Sequence, residues 1–172
     1  MKRTIISIVI IITSFVLQGT LFKALDFGNV SPNLLLIIVV SLGLMKGQRT
    51  GLIAGFFSGL LCDVFLSPYI GFYSIVYMYL GYMAGSFNRV FFPEDVKLPM
   101  ALIAGSDLIY GFTCYAFMFL LRGRLNIGYY MLHVCIPECV YTMVITVILY
   151  PALLWIHKRL EKGERKQEKK FV

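Results

Sequence analysis

The sequence predicts an all-α integral membrane protein, a bundle of about six transmembrane helices with a short second span. Three observations predict it. Apolar residues make up 59% of the 172-residue chain and the mean hydropathy is +0.79, against the ~45–50% apolar content usual in soluble domains. A chain this small cannot hide so much apolar surface from water, because small domains leave a large share of their surface exposed. Polar breaks divide the chain into six apolar runs, and a helix crosses the hydrocarbon core of a bilayer in ~20 residues.

The first run covers residues 4–22 behind Lys2 and Arg3. No small-residue A-x-A site ends it, so it is read as an uncleaved span rather than a leader. Lys23 and Asp26 close it, and a polar turn fills 26–32. The second run, 33–45, has only 13 residues. It must either thin the bilayer locally or lie as a partial span against its neighbours. Pro32 opens it and suits a first helical turn, where a missing N–H is harmless. Lys46, Gln48 and Arg49 interrupt the chain before the third run, 50–66. Ser67 and Pro68 make a turn, and the fourth run is 70–87. Polar loops at 88–97 and 122–126 bracket the fifth run, 98–121. The sixth run is 129–156, and a charged tail follows it as a frayed helix or disordered segment. The expected organisation is one transmembrane domain, 1–157, and a basic cytoplasmic tail, 158–172.

Basic residues set the orientation, because Lys and Arg collect on the cytoplasmic side of short loops. With six crossings and the N-terminus inside, one side holds Lys2, Arg3, Lys46, Arg49, Arg89, Lys97 and seven tail residues, 13 in all. The other side holds Lys23, Arg122 and Arg124, three in all. Both termini are therefore expected in the cytoplasm.

Several residues are candidates for more than spanning. Gly51, Gly55 and Gly59 stand four apart in the third run, and Asp63 extends the spacing. They form one slowly rotating stripe on a helix. Small residues so placed let another helix approach closely; that helix belongs either to this chain or to a partner. Asp63 either faces protein as a functional acid or caps the turn after it. Asp107 and Glu138 each lie about ten residues into a run, near the membrane midplane. Buried acids there suggest proton sharing or a basic partner, with the Tyr110 and Tyr141 hydroxyls as local alternatives. His133, Cys135 and Cys139 flank Pro137, and packing beside a proline kink is favoured over a soft-metal site. Phe72, Tyr73 and Tyr77 read as packing aromatics. The four cysteines all lie in apolar runs, where Cys behaves as a small hydrophobe. No nucleophile–base pair, H-E-x-x-H or Gly-rich phosphate loop is present. No catalytic residue, metal, cofactor or nucleic-acid partner is expected.

The run Gly55-Phe56-Phe57-Ser58-Gly59-Leu60-Leu61-Cys62-Asp63, followed by Ser67-Pro68 and Gly71, resembles the rod shape-determining protein MreD family. That family carries a G-F-x-x-G-L-L-x-D stretch and then a glycine at the start of the next span. Pro32-Asn33-Leu34-Leu35-Leu36, the chain length and the basic tail fit it too. The resemblance implies a non-enzymatic membrane scaffold of the bacterial elongation machinery, which directs lateral peptidoglycan synthesis. Its implied partners are MreC, RodA with a class B penicillin-binding protein, MreB indirectly, and membrane lipids. The implied partner-binding positions are Gly51, Gly55, Gly59, Asp63 and Pro32, in a groove for the helix of MreC. On that implication a leucine at Gly55 or Gly59 blocks MreC without altering net charge. The alternative is a substrate-binding subunit of an energy-coupling-factor vitamin transporter. Such subunits dock their transducing partner through small residues in the first span, where this chain has a β-branched run, Ile5-Ile6-Ser7-Ile8-Val9-Ile10-Ile11-Ile12.

Overall fold

A computed structural model describes residues 2–24, 32–67, 69–90, 96–122 and 127–168, with side chains at 5–20, 32–67, 69–90, 96–117 and 128–159. Residues 26–31 of the expected polar turn, Pro68, the centre of the 88–97 loop and most of the 122–126 loop lie outside those residues. Each apolar run forms a helix, and among the described residues there is no strand. The helices are α1 (Lys2–Ala24), α2 (Leu34–Lys46), α3 (Gln48–Leu66), α4 (Phe72–Ser86) and α5 (Lys97–Arg122). The sixth rod joins α6 (Ile127–Tyr130), a π-helical turn (Met131–Cys135) and α7 (Ile136–Glu168) without a break. A short 3₁₀ turn, Phe87–Val90, extends α4. Three segments, Gln48–Leu66, Lys97–Phe117 and Gly128–Arg159, are long and apolar enough to cross a membrane. The all-helical class read from the sequence is the class observed.

The short second run is the centre of the bundle. All residues from Leu34 to Met45 are buried. At 13 residues α2 is only about 20 Å long, well short of the ~30 Å hydrocarbon layer. It packs against α1, α3, α4, α5 and α7. A helix apolar all round must be enclosed on every side, and here protein does the enclosing instead of lipid. Pro32 is buried but lies outside α2, because the Asn33 side chain takes the capping position.

Successive helices alternate in direction. Gln18, late in α1, meets Leu35 at the start of α2. Ser7, early in α1, meets Lys46 at the end of α2. Phe15 packs on Phe65, Phe72 stacks on Phe117, and Thr142 reaches Asn33. One end of the bundle therefore carries Lys46, Arg49, Arg89, Lys97, Lys158 and Arg159.

Proline shapes the sixth rod. In a regular α-helix the Pro137 ring would collide with the carbonyl of His133. The preceding turn is instead widened to π, and the Ile136 N–H donates to the Met131 carbonyl. Such insertions are a common cause of local deformation in long helices. α7 then continues through Pro151 and past residue 157 to Glu168.

The closest packing is between α3 and α4. A Cβ at Gly51 would overlap the Gly81 carbonyl, one at Gly55 the Tyr77 carbonyl, and one at Gly59 the backbone of Ser74. On α4, Gly81 meets Gly51 and Gly85 meets Gln48. Gly43 of α2 also approaches Gly81, so three backbones converge there. By contrast a Cβ at Gly105 meets nothing within 4 Å. Overpacking a tight site costs ~1–3 kcal/mol, more where only backbone could yield. Gly55→Leu and Gly81→Leu should each cost at least ~3 kcal/mol, whereas Gly105→Leu should stay within ~0.5 kcal/mol of the parent chain. Thermal unfolding in mild detergent checks this; equal losses at Gly55 and Gly105 would contradict the packing.

Candidate functional site

The strongest polar features of the bundle are fixed at the ends of α2 and α4. The first four N–H groups of any helix lack intrahelical partners, and inside a membrane water cannot supply them. Asp63, near the end of α3, supplies them for α4. Its two carboxylate oxygens accept the backbone N–H groups of Tyr73 and Ser74, each at 2.9 Å. The Ser74 hydroxyl donates to the same carboxylate. Asp63 is only 1% exposed. A carboxylate at a helix N-terminus also gains from the helix dipole. Gly71 precedes α4 with φ +102°, a left-handed conformation that favours glycine. The chain can thus leave α3, turn and present the start of α4 to an acid eight residues back from that glycine. Of the two roles open to Asp63 in the sequence, capping is the one its contacts fill.

Asn33 does the same for α2. Its Oδ1 accepts the Leu36 N–H at 3.2 Å and the Tyr77 hydroxyl at 2.6 Å. Its own N–H donates to Thr142 Oγ1 on α7 at 3.2 Å. Gln18 Oε1 accepts the Leu35 N–H at 3.2 Å. Asn33 is 2% exposed, and Tyr77 and Thr142 are equally hidden. At the other end, the Asn88 amide donates to the Leu44 carbonyl, and Lys46 Nζ donates to Ser7 Oγ at 2.7 Å. Gly47, with φ +92°, makes the sharp connection from α2 to α3. Hydrogen bonds between helices in membranes average about 0.6 kcal/mol each, so this set acts by fixing geometry more than by large single energies.

The structure brings Gly51, Gly55, Gly59 and Asp63 into one unit of α3 and α4 packed on α2, and Pro32 is buried just before α2. The helix that meets the glycine stripe is α4 of the same chain. A partner helix using that face would have to displace α4 and uncap it. Asn33, Tyr77 and the Gly81–Gly85 pair belong to the same unit, with Thr142 of α7 bonded to it at Asn33, and the sequence reading did not single out their roles together. Two signals were available: an Asn directly before an apolar run, the usual mark of a helix cap, and a G-x-x-x-G pair in the fourth span.

Asp107 lies on α5 and Glu138 on α7, two helices that pack against each other. Asp107 is buried and faces the Thr142 hydroxyl without closing a hydrogen bond of ordinary geometry. Glu138 is half-buried. The Tyr110 ring turns to Tyr73 and Tyr77 on α4, with centroids 6.1 Å and 5.5 Å away. His133 and the cysteines do not converge. The His133 ring stacks on Tyr129 at 4.2 Å, Cys135 packs against Gly111, and Cys139 Sγ lies 3.9 Å from the Ala104 carbonyl. Among the described residues no three His, Cys, Asp or Glu side chains form a metal-binding group.

Fold and site together define a small helical membrane protein whose buried polar residues hold helix ends in place. The chain matches the rod shape-determining protein MreD family over residues 2–160 and belongs to that family. Its general role is therefore in rod shape determination. No curated protein and no solved structure matches the chain.

The cap at Asp63 has a measurable consequence. Asp63→Ala leaves two buried N–H groups without acceptors, at ~1–3 kcal/mol for a group so orphaned. Asp63→Asn keeps one acceptor oxygen. Thermal stability in detergent should fall in the order parent, Asn, Ala, with the alanine variant ~2 kcal/mol or more below the parent. An asparagine variant as unstable as the alanine one would show that the second acceptor and the charge dominate.

Proposed function

We propose that this chain is a non-enzymatic membrane scaffold of the bacterial elongation machinery, holding MreC and, beside it, RodA with a class B penicillin-binding protein. MreB is reached only indirectly, from the cytoplasmic side. The observation that carries the reading is the use of Asp63: the acid of the most distinctive motif in the chain is committed to capping α4. A residue so enclosed supports the shape of the protein and has no room for a reacting molecule. The glycine stripe and α2 are filled from within, so partner contact belongs to outward faces of the same unit. α3 presents Ile53, Phe56 and Phe57, and α4 presents Ile75, Tyr79 and Met83, all strongly exposed. In this reading Gly51, Gly55, Gly59, Asp63 and Pro32 serve partner binding by fixing the helices that carry those faces. Asp107 and Glu138 are a second, separate polar element.

The alternating helices and the basic end support both termini in the cytoplasm of the inner membrane, with residues 158–172 as a cytoplasmic extension. The transporter alternative needs a ligand pocket among the spans, and α2 occupies that centre.

A pull-down of the full chain from native membranes in mild detergent is the first test. MreC and the elongation synthase should come with it. Recovery of an energy-coupling ATPase and its membrane transducer instead would move the protein to the transporter class. Topology has its own check: a reporter that fluoresces only in the cytoplasm should be bright when fused after Val172. A dark fusion that is still inserted would reverse the orientation.

A further inference from the structure

Asp107 is 4% exposed, and neither of its carboxyl oxygens closes a hydrogen bond of ordinary geometry. An acceptor buried in this way has lost its water and must find a donor in the protein. The described Lys and Arg residues stand at the basic end of the bundle. Lys97 lies ten residues back along α5, about 15 Å away along the axis. Two contacts set the register of α5 against the sixth rod: Gly111 on Cys135, and the Ala104 carbonyl near Cys139 Sγ. Asp107 falls between them. Its carboxyl faces Thr142, which is one turn beyond Cys139 and wholly buried.

Thr142 already has one task. Its Oγ1 accepts the Asn33 N–H at 3.2 Å. Asn33 in turn caps α2 through the Leu36 N–H and accepts the Tyr77 hydroxyl. A threonine hydroxyl accepts on its lone pairs and donates one proton, so the direction of the proton decides where the lone pairs point. Two acceptors stand within its reach: the backbone carbonyl four residues back, at Glu138, and the Asp107 carboxyl. The first is a common habit of threonine in helices, followed here by Thr113 and Thr146. It would leave Asp107 unmet.

We infer that Asp107 is a positioning residue for the α2 cap: its carboxyl accepts the Thr142 proton and so turns a Thr142 lone pair to the Asn33 N–H. One hydrogen bond then satisfies both groups. The carboxyl gains its donor, and the Thr142 oxygen, polarised by donating, becomes the stronger acceptor for Asn33. The relay Asp107–Thr142–Asn33–Tyr77 joins α5, α7, α2 and α4 in one physical network. A shift of α5 against α7 therefore reaches the α2 cap and then α4, whose outward face carries Ile75 and Tyr79. The role needs an acceptor oxygen and not a charge, and Glu138 has no part in it. It rests on these contacts alone and not on the scaffold reading.

NMR of the full chain in mild detergent reads the relay directly. The Asn33 amide proton reports its bond to Thr142 and moves upfield when that bond lengthens. The amide protons of Tyr73 and Ser74, capped by Asp63, are the control within the same molecule. Asp107→Leu should move the Asn33 signal upfield, shift the Tyr77 ring signals with it, and leave Tyr73 and Ser74 in place. Asp107→Asn keeps an acceptor oxygen and should stay with the parent chain. Thr142→Val should move Asn33 at least as far, and adding Asp107→Leu to it should move Asn33 no further. An Asn33 signal unmoved by Asp107→Leu overturns the inference and gives the Thr142 proton to the Glu138 carbonyl. An asparagine variant that shifts as far as the leucine one also overturns it, because charge would then be the property at work. Equal movement at Tyr73 and Ser74 overturns it as general loosening of the bundle. If the leucine variant does not fold, the Asp107 carboxyl carbon reads the same bond from its other side. That signal should move in Thr142→Val and hold in Thr142→Ser, and no movement in the valine variant rejects the relay.

Discussion

The structure depends on one constraint: a helix too short to reach water must have its ends satisfied by protein. α2 is about 20 Å long and wholly buried. Its first N–H groups and last carbonyls lie where an unmet backbone group costs several kcal/mol. Asn33 and Gln18 meet one end; Asn88 meets the other. Those side chains come from α1, from the segment after α4 and from the entry to α2 itself. Satisfying α2 therefore ties its neighbours into register. The Tyr77 and Thr142 contacts to Asn33 add α4 and α7 to the same knot.

The α3–α4 pair solves the same problem by another route. Glycines bring the two backbones into contact, which leaves no space for lipid or water at the start of α4. The acid that caps α4 must then come from α3, and Asp63 stands three turns beyond Gly51 on the same stripe. The spacing of Gly51, Gly55, Gly59 and Asp63 is thus one device. Three positions permit approach, and the fourth satisfies the helix end that the approach has buried. Tyr77 joins the two devices, since its backbone packs on Gly55 while its hydroxyl donates to Asn33.

Much of this is legible in the sequence. Six apolar runs become helices because hydropathy and polar breaks act locally, and the ends agree to within a few residues except at the sixth, whose helix runs on to Glu168. The brevity of 33–45 left two readings open, a locally thinned bilayer or a partial span against its neighbours, and α2 is wholly enclosed by its neighbours. What the sequence does not carry is the identity of facing helices. The stripe on α3 announces that something comes close; that it is α4 follows from the turn at Gly71 and from the matching Gly81–Gly85 pair. Pro32 looked like the opening of α2 because proline tolerates a first turn, yet the residue after it carries the side chain that can cap. Asp107 and Glu138 were paired by depth alone, whereas the tyrosine three residues after Asp107 faces α4. A difference of three positions turns a side chain to within ~60° of the first. That was enough here to put Tyr110 with the aromatic group of α4 and leave Asp107 facing Thr142.

A scaffold of the kind proposed can influence a partner only through differential contact with the partner's states. A unit whose backbones touch and whose helix ends are capped by buried side chains is poorly suited to yielding, because close-packed interiors shift between discrete arrangements and do not deform smoothly. The periphery differs. α1 buries Ile11 but leaves Ile5, Ile8, Val9 and Ile12 largely exposed, and it is joined to α2 at Ser7 near one end and Gln18 near the other. A groove separates it from α3. Whatever enters from the side meets α1 first, and movement there leaves the Asp63 and Asn33 caps of α4 and α2 intact. The division follows from where the chain placed its glycines: on α3 and α4, where backbone contact fixes the fold, and not on the β-branched run of α1.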